Sequence, residues 1–196
     1  MTHIIAILIA SRYKYLMTET EQIRALVTRL ARLDAAETWE DDLNPVQLAA
    51  LDYLSRANRF SRAPSHVAAY LGTTRGTMSQ TLKVLLRNGY LKESRSEADK
   101  RSISYTPTLK GQEAAGRSTA LSHAIDGLGQ DGKSALWQQL SAVLSAMLVA
   151  NQGRSFGVCQ NCTHYRATRT GGLCNLLKAP LLPEEAQQIC HEQVPA

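Results

Sequence analysis

Aromatic side chains are scarce in this 196-residue chain: two Trp, two Phe and seven Tyr, 6% in all. That argues against a carbohydrate-binding or single-strand-stacking surface, since both are built on aromatic platforms. Long apolar runs are missing too. The longest, Ile4 to Ala10, falls far short of the roughly 20 residues a membrane-spanning helix needs. No basic segment precedes it and no small-residue cleavage site follows, so it does not read as a secretory signal. A cytoplasmic location without membrane partners is expected. Catalytic constellations are lacking as well. The five histidines are scattered, no Ser/His/Asp set or paired carboxylate cluster stands out, and Gly127, Gly129 and Gly132 fall between helical patterns rather than after a strand. The chain does not read as an enzyme. Cysteine is absent from the first 158 positions, and then four occur between Cys159 and Cys190.

What is present is an ordinary folded composition, 44% hydrophobic and 20% charged. The charge is unevenly placed. Between Met17 and Asp52 three arginines face eight acidic residues, whereas between Leu54 and Lys110 eleven basic residues face three acidic ones. A dense basic block beside an acidic one is the footprint of a polyanion-binding face, although a solvated basic surface gives the same count.

Helix signals are local and strong. Thr18 and Glu21 have capping-box spacing before Ile23, Leu26, Val27, Leu30 and Leu33, which recur at helical intervals. Asn44, Pro45 and Gln47 open a second helix with Val46, Leu48, Leu51 and Leu54 on its buried side. A short helix follows from about Pro64 to Leu71, stopped by Gly72. Thr73 or Thr74 then caps a helix striped with Met78, Leu82, Leu85 and Leu86 and ended by Gly89. Beyond Gly89 the period changes to two short strands, Tyr90–Lys92 and Ile103–Thr106, joined by the polar loop Ser94 to Ser102. A helix is expected from Thr108 through roughly Ala124, and another from about Lys133 to Ala150 with Leu136, Leu140, Val143, Leu144, Met147 and Leu148 buried.

Helix, helix, short helix, tight turn, amphipathic helix and basic hairpin, in that order, describe a winged helix-turn-helix. The stretch from Leu71 through Lys83 to Leu91 resembles the recognition region of MarR-type transcriptional regulators. Asp99-Lys100-Arg101 fits that family's D-x-R wing, and Thr108-Leu109-Lys110-Gly111 its T-x-x-G. The resemblance spans about Thr18 to Ala150. It implies a homodimer closed by the terminal helices, and repression as the default mode. Independently of the resemblance, Arg75, Thr77, Ser79, Gln80 and Lys83 lie on the front half of the recognition helix and are not needed for its apolar stripe. Gln80 could read adenine and Arg75 guanine, while Thr74, Thr77 and Ser79 suit phosphates. Arg95 and Lys100 add wing charge, and Arg101 resembles the residue that enters the minor groove with Asp99 orienting it.

The tail departs from that plan. Its pattern is C-x2-C-x11-C-x15-C over Cys159, Cys162, Cys174 and Cys190. Leu173, Leu176, Leu177, Leu181, Leu182 and Ile189 are too few to hold some 40 residues by burial alone, so a staple is expected. Four thiolates suit zinc, with an iron–sulfur cluster as the alternative and disulfides disfavoured in a reducing compartment. His164 and His191 could substitute as ligands, with a polar surface role the alternative favoured for each.

The expected architecture is therefore mainly α with a small β-hairpin wing, dimerising terminal helices and a small Cys-rich module. Its segments are an extension at 1–16, a winged-helix domain at 17–150, a linker at 151–158 and a metal-binding tail at 159–196. For 1–16, translation starting at Met17 and an appendage packed on the dimer are both open. The expected function is a sequence-specific DNA-binding regulator acting as a homodimer, with a metal–thiolate tail of structural or sensory role. Its expected partners are double-stranded DNA, a second copy of the chain and a small-molecule effector. The competing class is an iron–sulfur redox protein, or a redox-sensing adaptor without sequence-specific DNA binding.

Overall fold

The computed structural model describes residues 17–37, 43–95 and 103–196. The readings made for 1–16, and for Asp99, Lys100 and Arg101, lie outside the described residues.

Helix α1 spans Glu19–Glu37. Its capping box forms as the spacing requires: Thr18 N donates to Glu21 Oε2 at 2.7 Å and Glu21 N to Thr18 Oγ1 at 3.3 Å. Helix α2, Pro45–Arg56, opens on the reciprocal Asn44–Gln47 box with Pro45 in its first turn. Its buried side holds Leu51 and Leu54 as expected, with Leu48 half-buried, but leaves Val46 out. Val46 is 46% exposed, while Ala50, Leu51, Tyr53 and Leu54 are fully buried. Tyr53 is tolerated inside because its hydroxyl donates to Ser61 O at 2.8 Å.

A short 3-10 turn at Arg59–Ser61 leads into α3, Pro64–Tyr70. Gly72 at φ +61° turns the chain toward α4, Arg75–Arg87, whose N-cap is Thr74, and Gly89 at φ +76° closes α4. Both positions need the left-handed backbone that glycine adopts without strain. Met78, Leu82 and Leu85 are fully buried and pack into one core with Leu51, Leu54 and Val67.

The wing is an antiparallel pair, β1 at Leu91–Arg95 and β2 at Ile103–Pro107, with Leu91 opposite Pro107 and Arg95 opposite Ile103. Ser94 and Arg95, expected in the loop, are strand residues. Thr108 caps α5, Leu109–Ala115. A Cβ on Gly111 would collide with the Tyr90 carbonyl, so the T-x-x-G spacing is a packing requirement. The single helix expected to reach Ala124 is instead two: α5 stops at Gly116, and Thr119 recaps α6 over Ala120–Asp126. Helix α7 starts earlier than expected, running Gly129–Ala150 through Gly132.

The C-terminal module contains β3 (Tyr165–Thr168), β4 (Gly171–Cys174) and β5 (Ala179–Leu181) in one antiparallel sheet, then the one-turn α8 at Pro183–Ala186. Residues 151–158, expected as a linker, do not hang free. Phe156 meets the Tyr53 and Tyr70 rings edge-on at 6.1 and 5.3 Å. Phe156 and Ile189 enter the winged-helix core, and in exchange Phe60 enters the core of the module with Cys159, Leu181 and Cys190.

Candidate DNA-binding face and thiolate centre

Helix α4 presents two faces. Met78, Leu82 and Leu85 point inward, while Thr74, Arg75, Thr77, Gln80 and Lys83 are exposed and Ser79 is half-buried. Thr74 is committed to capping, accepting from Thr77 N at 3.1 Å, and its hydroxyl shares a 2.8 Å hydrogen bond with Thr77 Oγ1. Arg75, Gln80 and Lys83 have long polar side chains at the solvent surface of a helix fixed to the core by its other side. Such a helix can enter a major groove and read base edges there. Arg87, on the same helix and also exposed, adds a cation outside the expected set. On the wing, Arg95 is 62% exposed and its Nε lies 3.0 Å from Glu93 Oε1. Any phosphate contact by Arg95 competes with that partner.

The terminal helices carry apolar faces that one chain does not bury. Ile23, Leu26, Leu30 and Leu33 of α1 are 49–59% exposed, and Leu140, Val143, Leu144 and Met147 of α7 are 48–57% exposed. These α7 side chains, expected to be buried, stay about half exposed in the single chain.

The four cysteines come from separate parts of the module and line one small cavity with His164, Tyr165 and Glu192. Its free volume is about 10 Å³, room for a single water-sized body. All four are free thiols. Cys159 and Cys190 are hydrogen-bonded to each other. That hydrogen bond pushes the Cys159 thiol up and pulls Cys190 down to about 6, the latter helped by a backbone N–H of Glu192 and by Asn58 and Ser61. Further donors face the other sulfurs: Leu177 N lies 3.5 Å from Cys174 Sγ and Val194 N 3.4 Å from Cys162 Sγ. Among the described residues, no three His, Cys, Asp or Glu side chains yet converge on one point where an ion would sit. The sulfurs are collected around a common cavity but turned toward these separate donors. As a chemical set, four soft donors with N–H groups behind them suit one thiophilic ion.

His164 lines this cavity; His191 does not. The His191 ring stacks on His66 with centroids 3.4 Å apart, and its Nε2 lies 3.0 Å from Glu192. Burial, with the neighbouring His191, lowers His66 to about 4.

The sequence reading missed what holds the module in place. Asn58 and Ser61, both fully buried, and the Arg59–Glu185 ion pair at 2.6 Å join segments more than 100 residues apart. No local pattern announces such contacts.

The architecture defines a winged helix-turn-helix protein. Residues 41–102, about a third of the chain, match the MarR family model. The likeness to that family is confined to this segment. Among solved structures, the chain is similar to Streptococcus pneumoniae FabT in complex with DNA, at 20% identity and TM-score 0.53, over 65% of this chain and 94% of that one. It is similar to the transcriptional regulator SlyA at 19% identity and TM-score 0.54, over 66% and 94%. The S. aureus MepR–DNA complex matches at 18% identity and TM-score 0.53, over 67% and 99%. These likenesses are of fold, and about a third of this chain lies outside each. No curated protein sequence matches the chain. Among the described residues, no helix is long and apolar enough to cross a membrane.

Proposed function

We propose that the protein is a sequence-specific DNA-binding transcriptional regulator that acts as a homodimer. The observation that carries this reading is α4: a helix locked to the core by Met78, Leu82 and Leu85, with Arg75, Gln80 and Lys83 free on its outer side. The DNA complexes among its structural neighbours, FabT and MepR, support it. Thr74, Thr77 and Ser79 then position the helix on phosphates, and the wing with Arg95, Asp99, Lys100 and Arg101 lies along the adjacent minor groove. The exposed apolar faces of α1 and α7 are covered by a second copy, because patches of that size are costly to leave in water. Repression is the mode that the resemblance to MarR-type regulators implies. A cleft of about 350 Å³ between α1, α2 and α6, lined by Leu48, Asp52, Leu121 and Ile125, is large enough for a small effector.

For the tail we infer a zinc–thiolate centre of Cys159, Cys162, Cys174 and Cys190. Four cysteines gathered on one cavity suit zinc, with an iron–sulfur cluster as the alternative. Bound there, zinc would cross-link a module whose Leu176, Leu177 and Leu182 remain 39–58% exposed and contribute little burial. The test is binding of the full chain to duplex from upstream of its own gene against random duplex of equal length. The reading expects a preference of at least a thousandfold for one such site; equal affinity for both duplexes overturns it.

A further inference from the structure

Asn58 stands at the junction of the two modules and is fully buried. Its Nδ2 donates to Cys159 Sγ at 3.2 Å. Its Oδ1 accepts from Phe60 N at 3.1 Å and from Ser61 Oγ at 2.8 Å. A backbone N–H can only donate, so the amide oxygen must face Phe60 and the NH2 group must face the sulfur. Around this contact the chain segments are laced together. Asn58 N donates to Ile189 O at 3.0 Å, Ile189 N to Arg56 O at 2.9 Å, and His191 N to Ser61 Oγ at 3.0 Å.

The turn that holds the sulfur also sets the geometry of the DNA-binding domain. Ser61 O receives the Tyr53 hydroxyl from α2. Arg62 O receives Tyr105 N from wing strand β2 at 3.1 Å, and α3 begins two residues after Arg62. From Cys159 the path runs by hydrogen bonds through Asn58 to Ser61, along the peptide link to Arg62, and from Arg62 O by a hydrogen bond to Tyr105 of the wing.

We propose that a thiophilic divalent cation is a regulatory ligand of this protein, and that Asn58 is the positioning residue through which its binding at the cysteine centre sets operator affinity. The inference rests on the zinc–thiolate reading above. Cation binding makes Cys159 a thiolate, and the Asn58 N–H···S bond becomes charge-assisted and stronger. The turn at 58–62 is then held in one arrangement before DNA arrives, so less ordering entropy is lost on docking α4 and the wing. Linkage makes the effect mutual: DNA tightens cation binding by the factor by which the cation tightens DNA binding.

The experiment uses the full chain, zinc-loaded or stripped by chelator, with the preferred upstream duplex as DNA and zinc alone as ligand. Zinc-loaded protein is expected to bind that duplex about tenfold more tightly than apo protein, and the duplex to raise zinc affinity by the same factor. Asn58→Asp keeps an acceptor for Phe60 and Ser61 but presents no donor to Cys159. It is expected to lose about tenfold or more in zinc affinity, and its loaded-to-apo ratio of duplex affinity should fall to near one. The reciprocal titration on the unaltered chain decides the matter should that variant not fold. One zinc per chain with loaded and apo affinities within twofold, or with the loaded form weaker, overturns the coupling and leaves the zinc centre standing. No zinc retained at all overturns the centre itself, and the coupling with it.

Discussion

Removing the Arg59 guanidinium should loosen the C-terminal module without unfolding the domain beneath it. Arg59 Nη1 donates to both oxygens of Glu185 at 2.6 Å, and Nη2 donates to Pro180 O at 2.6 Å. The Arg59 side chain is 44% exposed but that of Glu185 only 10%. In Arg59→Ala the nearly covered carboxylate keeps a single donor, Leu182 N at 2.8 Å. Exposed ion pairs contribute roughly 0.2–1 kcal/mol, and breaking a buried one costs roughly 3–5 kcal/mol. This pair lies between, with one partner screened by solvent, so the loss is about 2 kcal/mol. That raises the population of undocked module about thirtyfold. Arg59→Lys keeps the charge but not the fork, and should lose about half as much. The assay is the rate of proteolytic cleavage within residues 151–158, under conditions where opening is fast relative to cutting and the rate follows the open population. If Arg59→Ala and the unaltered chain are cut at the same rate, the ion pair does not hold the module.

Three further outcomes follow from other parts of the molecule. Gln80→Ala should lose roughly 1–3 kcal/mol of discrimination at one base pair while non-specific affinity stays unchanged, read by competition with single-substitution duplexes. Leu144, 55% exposed in one chain, should on Leu144→Glu shift the protein to monomer in sedimentation with its helical signal intact. Gly111→Ala forces a methyl against the Tyr90 carbonyl and the Leu51 side chain and should cost about 2 kcal/mol in equilibrium unfolding.

The parts of this fold legible in the sequence are those whose causes are local. Thr18 with Glu21 and Asn44 with Gln47 are three residues apart, so each cap can be read before anything is packed. The Met78, Leu82 and Leu85 stripe is equally local, since one helix dictates which of its residues share a face. Val46 is exposed beside buried Leu51 and Leu54 because apolar character alone does not tell how wide a stripe of α2 the core covers. Tyr53 belongs inside only because Ser61 O is there to accept from it. The break at Gly116 is local, but Thr119 recapping α6 looked like one more polar position in a longer helix. The docking of the module was out of reach, because Asn58 and Cys159 meet across 101 positions and Arg59 and Glu185 across 126. The apolar faces of α1 and α7 are legible from their helical spacing, while among the described residues their side chains stay about half exposed.

The central claim is that two α4 helices, one from each copy, read a specific duplex. Selection from a randomised duplex pool by the full-length protein tests it most directly. The account predicts enrichment of a pseudo-palindrome whose half-site centres lie about 10–10.5 base pairs, or a multiple, apart. It further predicts that Gln80→Ala enriches the same spacing with one position in each half-site relaxed. A pool that emerges with no enriched sequence, or with one that Gln80→Ala leaves untouched at every position, would contradict it.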